Sequence, residues 1–286
     1  MYKKSLSLVL GFLFVFLLTA CSQTAEPVNK SEATNKEETT EKSSLTVDEL
    51  FKRSTEASEN IKSFTVNMDM KQNMSGIPEV GEMAIDSTIE MEIVTEPLQM
   101  YQKMNMNMGE ELGSMDTEMY LTQDGMFMHD PAQDSWMKFP TEMSDQLIDL
   151  SNQQGNPADE LKKLQGFVDD FSYEEDGKSY ILMLTASGEK LNQFIQETMQ
   201  ALSPELTGGE LATENLKVNK AQYEMILDKE TFLPMQLKVK MELDITAESE
   251  TIHLSQTING VYTGYNEVDS ITIPQEVLDT AVEMQI

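Results

Sequence analysis

Several residue types are scarce in this chain of 286 residues, and each scarcity excludes a class of protein. The single cysteine excludes an internal disulfide framework and a cysteine-based zinc site. Only 20 Lys and Arg stand against 50 Asp and Glu, a formal charge of −30, which excludes binding to nucleic acid or docking on anionic lipid by charge. The hydrophobic fraction of 40% is nevertheless sufficient for a packed core, so the chain is not disordered throughout.

The first twenty residues predict a secretory signal peptide. Two lysines precede an apolar run from Leu6 to Leu18, which is too short for a comfortable membrane span. The run ends in Thr19-Ala20-Cys21, and this resembles the bacterial lipobox, in which the cysteine receives diacylglycerol and often palmitate. An ordinary signal peptide with a chance cysteine is the alternative. We therefore expect residues 1–20 to be removed and Cys21 to anchor the chain on the extracytoplasmic face of the cell membrane.

The segment behind the cysteine predicts a polar tether. From Ser22 to Ser44 there is no aromatic residue and no apolar residue larger than Val28. Such a segment buries too little apolar area to offset its chain entropy, so we expect residues 21–44 to be a lipidated cysteine and a disordered linker. A flexible chain of this length reaches roughly 26 Å.

The remaining residues, 45–286, predict one α+β domain. It opens with a helix, because Thr46 and Glu49 form a capping-box pair in front of an apolar stripe that includes Leu50. The period then changes from 3.6 to 2, and apolar residues alternate with polar ones over long segments, as in half-buried antiparallel strands. Asp124-Gly125 predicts a hairpin turn.

Helices interrupt this series of strands midway, and one more closes it. We predict them over residues 141–150, from Asn156, from Ser187 and around Val277. Strands return between and after them. The expected fold is a large curved antiparallel sheet, an open half-barrel, with a few helices packed on or in its concave face.

The order of these features resembles that of a Gram-positive lipoprotein family of unknown function. The signal peptide, the lipobox cysteine, the tether, the first helix and the long sheet all match, as does the ending Tyr265-Asn266 followed by Ile271-Thr272-Ile273-Pro274. The layout is also similar to that of the LolA-like and LprG-like lipoprotein carriers. Those carriers hold acyl chains between a half-barrel and its helices, but their pockets have no motif that assigns residues here.

Methionine is abundant, with 22 residues, and many of them lie on the apolar side of the predicted strands. Methionine adapts to irregular apolar shapes, which suits a cavity for acyl chains, although a merely methionine-rich core is the alternative. The residues that we expect to line such a groove are Met68, Met70, Ile89, Met91, Met104, Met106, Met119, Leu237, Val239 and Met241.

The same methionines suggest a second chemistry, because thioethers suit Cu(I). Met-x-Met pairs recur, and one of them, Met126/Met128, precedes His129. Enzyme motifs are weak: Gly-x-Ser-x-Gly and His-Glu-x-x-His are absent, and two Ser-x-x-Lys matches lack partner motifs. We therefore expect neither an enzyme nor a bound cofactor or metal.

Three functions remain open at this point. The first is a lipid-anchored carrier or sensor that binds an apolar ligand, an acyl chain, in the methionine-rich groove. The second is a surface or structural lipoprotein without a small ligand, and the third is Cu(I) handling. The sequence identifies neither a protein partner nor the ligand.

Overall fold

A computed structural model describes residues 45–77, 80–109, 112–145, 148, 170–189, 191–193, 216–247 and 250–284. Most of these residues form strands, and the sheet built from them is open at both edges. This confirms the predicted α+β half-barrel class. The predicted signal peptide, Cys21 and the tether lie outside the described residues, as do the helix from Asn156 and most of the helix from Ser187.

Two helices and twelve strands have defined bounds within the described residues. The helices are α1 (Val47–Ser58) and α2 (Gln275–Thr280). The strands are β1 (Ser63–Ile77), β2 (Gly81–Thr95), β3 (Leu98–Asn107), β4 (Ser114–Thr122), β5 (Gly125–Asp130), β6 (Ser135–Lys138), β7 (Phe171–Glu175), β8 (Ser179–Ala186), β9 (Leu216–Asp228), β10 (Pro234–Ala247), β11 (Glu250–Thr263) and β12 (Val282–Glu283). Residues 141–145 form a helical turn at the start of the predicted helix over 141–150.

All twelve strands join one sheet in the order β12-β6-β5-β4-β3-β2-β1-β11-β10-β9-β8-β7. Neighbouring strands pair antiparallel, with the exception of β12 and β6, which are parallel. The centre of the sheet is the pairing of β1 with β2 on one side and with β11 on the other. The alternation in these strands is regular because successive side chains in a strand point to opposite faces. We call the face that carries Met68 and Met70 the inner face, and the opposite one the outer face.

Helix α1 packs on the inner face, as predicted. Its capping box forms: the backbone N–H of Glu49 donates to Thr46 Oγ1 at 3.2 Å, and the backbone N–H of Thr46 donates to Glu49 Oε2 at 2.8 Å. Leu50 and Phe51 are fully buried, and the Phe51 ring meets that of Phe171 edge-on with 5.0 Å between centroids. The helix therefore covers the inner face near the β7 edge.

The C-terminal segment crosses to the other side of the sheet. Ile273 and Val277, the buried residue of α2, pack on Phe127, whose side chain lies on the outer face. The backbone N–H of Ile271 donates to Gln99 Oε1 at 2.6 Å and fastens the segment to β3. The predicted final helix is thus present, but it covers the outer face rather than the concave one.

Candidate ligand-binding face

Strand register places the ten predicted groove residues on one face of the sheet. In one row across five strands, Met104 faces Ile89, Ile89 faces Met68, and Met68 faces Gly260, which in turn faces Leu237. Directly opposed residues project to the same side of a sheet, so this row is continuous. Four of the ten candidates belong to it.

The neighbouring rows bring in the other six candidates. The second row runs Met106, Ser87, Met70, Ile258, Val239. On either side of these two rows, Met119 and Met91 both face Gln102, and Met241 faces Gln256. The ten side chains therefore lie on one face of the sheet, from β4 to β10, with the polar Ser87, Gln102 and Gln256 among them.

The ten side chains divide into a buried and a half-buried group. Five are buried: Met68, Met70, Ile89, Met106 and Val239. Five are half-buried: Met91, Met104, Met119, Leu237 and Met241. The surface thus has a buried part and a second part, four methionines and one leucine, whose side chains remain partly exposed to solvent. That these residues line a ligand groove stays a prediction.

Gly260 leaves a gap in the first row. It has no side chain, and the terminal methyl of Met68 would lie 3.9 Å from a Cβ at this position. The flexible methionine side chain therefore reaches toward the place where a larger residue would sit. This part of the surface can change shape when the methionine side chains rotate. Such rotation costs less energy for methionine than for β-branched residues.

Sequence reasoning missed four polar residues on the same face. Ser87, Gln72, Gln102 and Gln256 are all buried, with 3%, 7%, 8% and 6% of their surface exposed. The signal was available, because each replaces an apolar residue in an otherwise regular alternation.

The outer face has the opposite character and carries the charge. Lys71 pairs with Asp86 at 3.2 Å, and Lys238 pairs with Glu224 at 2.6 Å. Both are surface pairs, which contribute little to stability in general. Their placement explains the alternation of the sequence: one side of each strand is wet and the other is packed.

An open depression of about 650 Å³ lies at the end of β1, β2, β10 and β11, and most of its lining side chains belong to the outer face. It contains a pair in which His253 Nδ1 and Asp244 Oδ1 are 2.6 Å apart. Hydrogen bonds from the Asn219 side chain, and then from His253, lower the pKa of Asp244 below its ordinary value. The His253 side chain is largely exposed, so the two side chains form a hydrogen-bonded pair on the outer face rather than a buried catalytic dyad.

The described residues give little support to a metal centre that includes His129. Its side chain is on the outer face, 3.2 Å from Asp134, whereas Met126 and Met128 point to the inner face. Within the described ranges, no group of three or more His, Cys, Asp or Glu side chains is arranged to hold a metal ion. Nor does any helix in this part of the chain combine the length and the apolarity needed to cross a membrane.

Comparison with known proteins places the chain in a family. A model for a family of unknown function, DUF6612, matches residues 46–282. The chain belongs to the DUF6612 family. The predicted likeness to a family of unknown function is thereby confirmed, and the match to DUF6612 spans both helices and strands β1 to β11. A search of curated proteins returned no match.

Several solved structures have a similar layout. The lipoprotein LppX of Mycobacterium tuberculosis is 8% identical with a TM-score of 0.39, and the match covers 79% of this chain and 98% of that one. A LolA superfamily protein of Nitrosomonas europaea is 10% identical with a TM-score of 0.23, over 82% and 97% of the two chains. Lipovitellin is 7% identical with a TM-score of 0.31, over 74% of this chain and 26% of that one. These likenesses concern layout, and no ligand or activity is carried over from them.

Proposed function

We propose that this DUF6612 protein is a lipid-anchored extracytoplasmic carrier or sensor that binds acyl chains on the inner face of its sheet. It acts by burial alone and has no catalytic step. The ligand lies against the methionine-rich surface that extends from β4 to β10. Diacylation of Cys21 holds the protein at the membrane, and residues 22–44 are the tether.

One observation carries the proposal: the ten apolar residues form one surface, and half of them are only partly buried. A core that merely fills space closes over its side chains, whereas this surface keeps thioethers such as Met91 and Met104 partly accessible. Each methylene that an acyl chain buries there contributes about 0.8 kcal/mol. Methionine accommodates chains of different length because its side chain is unbranched and flexible.

The anchor fits the electrostatics of the body. The chain carries a net charge of −30, so anionic lipid head groups repel it. A single acyl chain binds a membrane only marginally, and a second makes the attachment stable. Diacylation of Cys21 therefore supplies the membrane affinity that the acidic body lacks.

A pair of matched substitutions in β3 tests the proposal. Met104 lies on the inner face, and the exposed Lys103 next to it lies on the outer face. Met104→Gln places a nearly isosteric amide where the chain would lie, and Lys103→Gln places the same amide in water. Both are made in the exported chain with Cys21→Ser, which cannot be acylated at that position.

Binding is measured by displacement of a fluorescent acyl probe by dodecanoylglycerol. Desolvation of the amide against an acyl chain costs about 1–3 kcal/mol, so Met104→Gln weakens binding roughly 5- to 160-fold. Lys103→Gln leaves it unchanged. The inner face is not the binding site if neither the parent nor the control binds the probe. The same conclusion follows if Met104→Gln and Lys103→Gln change the affinity by the same factor. Loading the same preparation with Cu(I), followed by metal analysis, separates acyl binding from the copper alternative.

A further inference from the structure

A polar patch interrupts the apolar inner face near its centre. Ser87 lies on β2 directly between Met70 on β1 and Met106 on β3. In the adjoining row, Gln72 on β1 faces Gln256 on β11. Ser87 and Gln72 are diagonal neighbours, whose Cα atoms in such a sheet are about 7–8 Å apart. The three side chains therefore lie on three neighbouring strands, in two adjoining rows of the inner face, and we call them the polar patch.

The hydrogen bonds within the patch are incomplete. The hydroxyl of Ser87 is 3% exposed as a residue and has no hydrogen-bond partner among the described residues. Gln256 Nε2 donates to Met70 Sδ at 3.2 Å, and a thioether is a weak acceptor. Buried polar groups in native proteins are nearly always paired, and each exception requires an explanation. A ligand that supplies the missing partner is such an explanation.

The charges around the patch restrict the chemistry of that partner. On the inner face of β1, β2, β10 and β11, the described side chains are all neutral, and the lysines of these strands, such as Lys71 and Lys240, lie on the outer face. An ionised carboxylate would be buried there without a cation, which is strongly unfavourable. Serine and glutamine instead match a neutral ester or hydroxyl, because both donate and accept hydrogen bonds.

The apolar surface continues on both sides of the patch. Along β2, Met91 and Met83 each lie four residues from Ser87, roughly 13 Å in either direction. A ligand with a polar linkage at Ser87 can therefore lay apolar chain toward both ends of the strand. A simple hydrocarbon would leave the patch unpaired.

We propose that the inner face binds a neutral acylglycerol-type lipid whose ester or hydroxyl group is hydrogen-bonded by Ser87 and the adjacent Gln72 and Gln256. This rests on the proposed acyl-chain function and specifies the ligand class. The patch fixes where the linkage lies, and the methionines on both sides bury the chains.

The test compares Ser87→Ala with Thr88→Ala in the exported Cys21→Ser chain. Both remove a hydroxyl from β2, but Thr88 is exposed on the outer face. Three probes share a twelve-carbon chain: dodecanoylglycerol, ionised dodecanoate at pH 8, and dodecane. Displacement of a fluorescent acyl probe gives each dissociation constant, and the infrared frequency of ¹³C-labelled ester carbonyl reports its hydrogen bond.

We expect Ser87→Ala to weaken the binding of dodecanoylglycerol about three- to tenfold, which corresponds to the loss of one hydrogen bond. The dissociation constant of dodecane should stay within about twofold of its value in the parent. The carbonyl band of the bound ester shifts to higher frequency in Ser87→Ala only. Thr88→Ala matches the parent throughout, and dodecanoate binds the parent at least about tenfold more weakly than dodecanoylglycerol.

Three results overturn the inference. The first is an unchanged affinity and carbonyl band in Ser87→Ala, which would mean that water or nothing pairs with the hydroxyl. The second is a loss of affinity for dodecane in Ser87→Ala as large as the loss for dodecanoylglycerol. The third is binding of dodecanoate to the parent as tight as that of dodecanoylglycerol. In each case acyl binding on the inner face survives, whereas failure of all three probes to bind the parent removes the proposed function as well.

Discussion

Replacement of Ile89 by alanine measures directly how well the inner face is packed. Ile89 is 2% exposed at the middle of β2, between Met68 and Met104. Truncation of a buried isoleucine to alanine destabilises proteins by about 2–5 kcal/mol, depending on how far the site collapses. Flexible methionines on both sides refill part of the cavity, so we expect the lower half of this range, about 2–3 kcal/mol.

The matched control is Thr88→Ala on the same strand. Thr88 is exposed on the outer face, and its replacement likewise exchanges a β-branched residue for alanine. Loss of strand propensity alone accounts for at most about 1 kcal/mol, so the difference between the variants isolates burial. Urea unfolding followed by circular dichroism gives both values. With a slope of about 2 kcal/mol per molar urea, Ile89→Ala lowers the midpoint by roughly 1–1.5 M.

Enclosure of Ile89 is contradicted if Ile89→Ala is no more destabilising than Thr88→Ala. That result would mean that Ile89 is not enclosed by its two methionine neighbours, and the register of β1, β2 and β3 would have to be different. A shift of one residue exchanges the faces of a strand, so the pair of variants is sensitive to this error.

Three further predictions concern stability. Thr46→Ala removes the cap of α1 and destabilises the protein by about 1 kcal/mol in urea unfolding. Gly76→Ala is far more destabilising than Gly81→Ala: both glycines have positive φ, but a Cβ at Gly76 would lie against the carbonyl oxygen of Thr251, whereas nothing lies within 4 Å of one at Gly81. Asp228→Ala destabilises at pH 7 and ceases to do so in acid, because hydrogen bonds led by the Thr231 N–H lower the pKa of this carboxyl in the folded state.

Each of these predictions has a contradicting result. Thr46→Ser keeps the capping oxygen, so it should retain most of the parent's stability. If Thr46→Ser and Thr46→Ala are equally destabilised, the cap does not cause the loss of stability. If the two glycine variants have equal midpoints in thermal unfolding, the Thr251 carbonyl oxygen does not exclude a Cβ at position 76. A lowered folded-state pKa gives stability that is present above the unfolded pKa and is lost as pH falls through the folded one. If the difference in unfolding free energy between the parent and Asp228→Ala persists at pH 2, the prediction for Asp228 is contradicted.

Much of the sheet could be predicted from alternation alone. Strands β1, β2 and β10 are long, and their apolar residues recur at every second position, so the face of Met68 or Val239 follows from the sequence without knowledge of the partner strand. The capping box at Thr46 has equally local causes. These features are predictable because they depend on neighbours within a few residues.

The features that were missed depend on distant parts of the chain. The parallel pairing of β12 with β6 joins residues that are far apart in sequence, and no local pattern marks it. The side of the sheet that α2 covers is set by the contact of Val277 with Phe127. The alternation marks Gln72 and Gln256 singly as inner-face residues, but that they lie side by side follows only when β1 and β11 are known to be neighbours.

Solvent extraction of the purified protein is the most direct test of lipid binding on the inner face. The exported Cys21→Ser chain is purified without added lipid or detergent, extracted with organic solvent, and analysed by mass spectrometry against a parallel preparation of Met104→Gln. We expect a neutral acyl lipid at close to one molecule per chain in the parent, and clearly less in the variant. Parent protein that is folded but free of lipid, and that takes up none when acylglycerol is supplied, would contradict it.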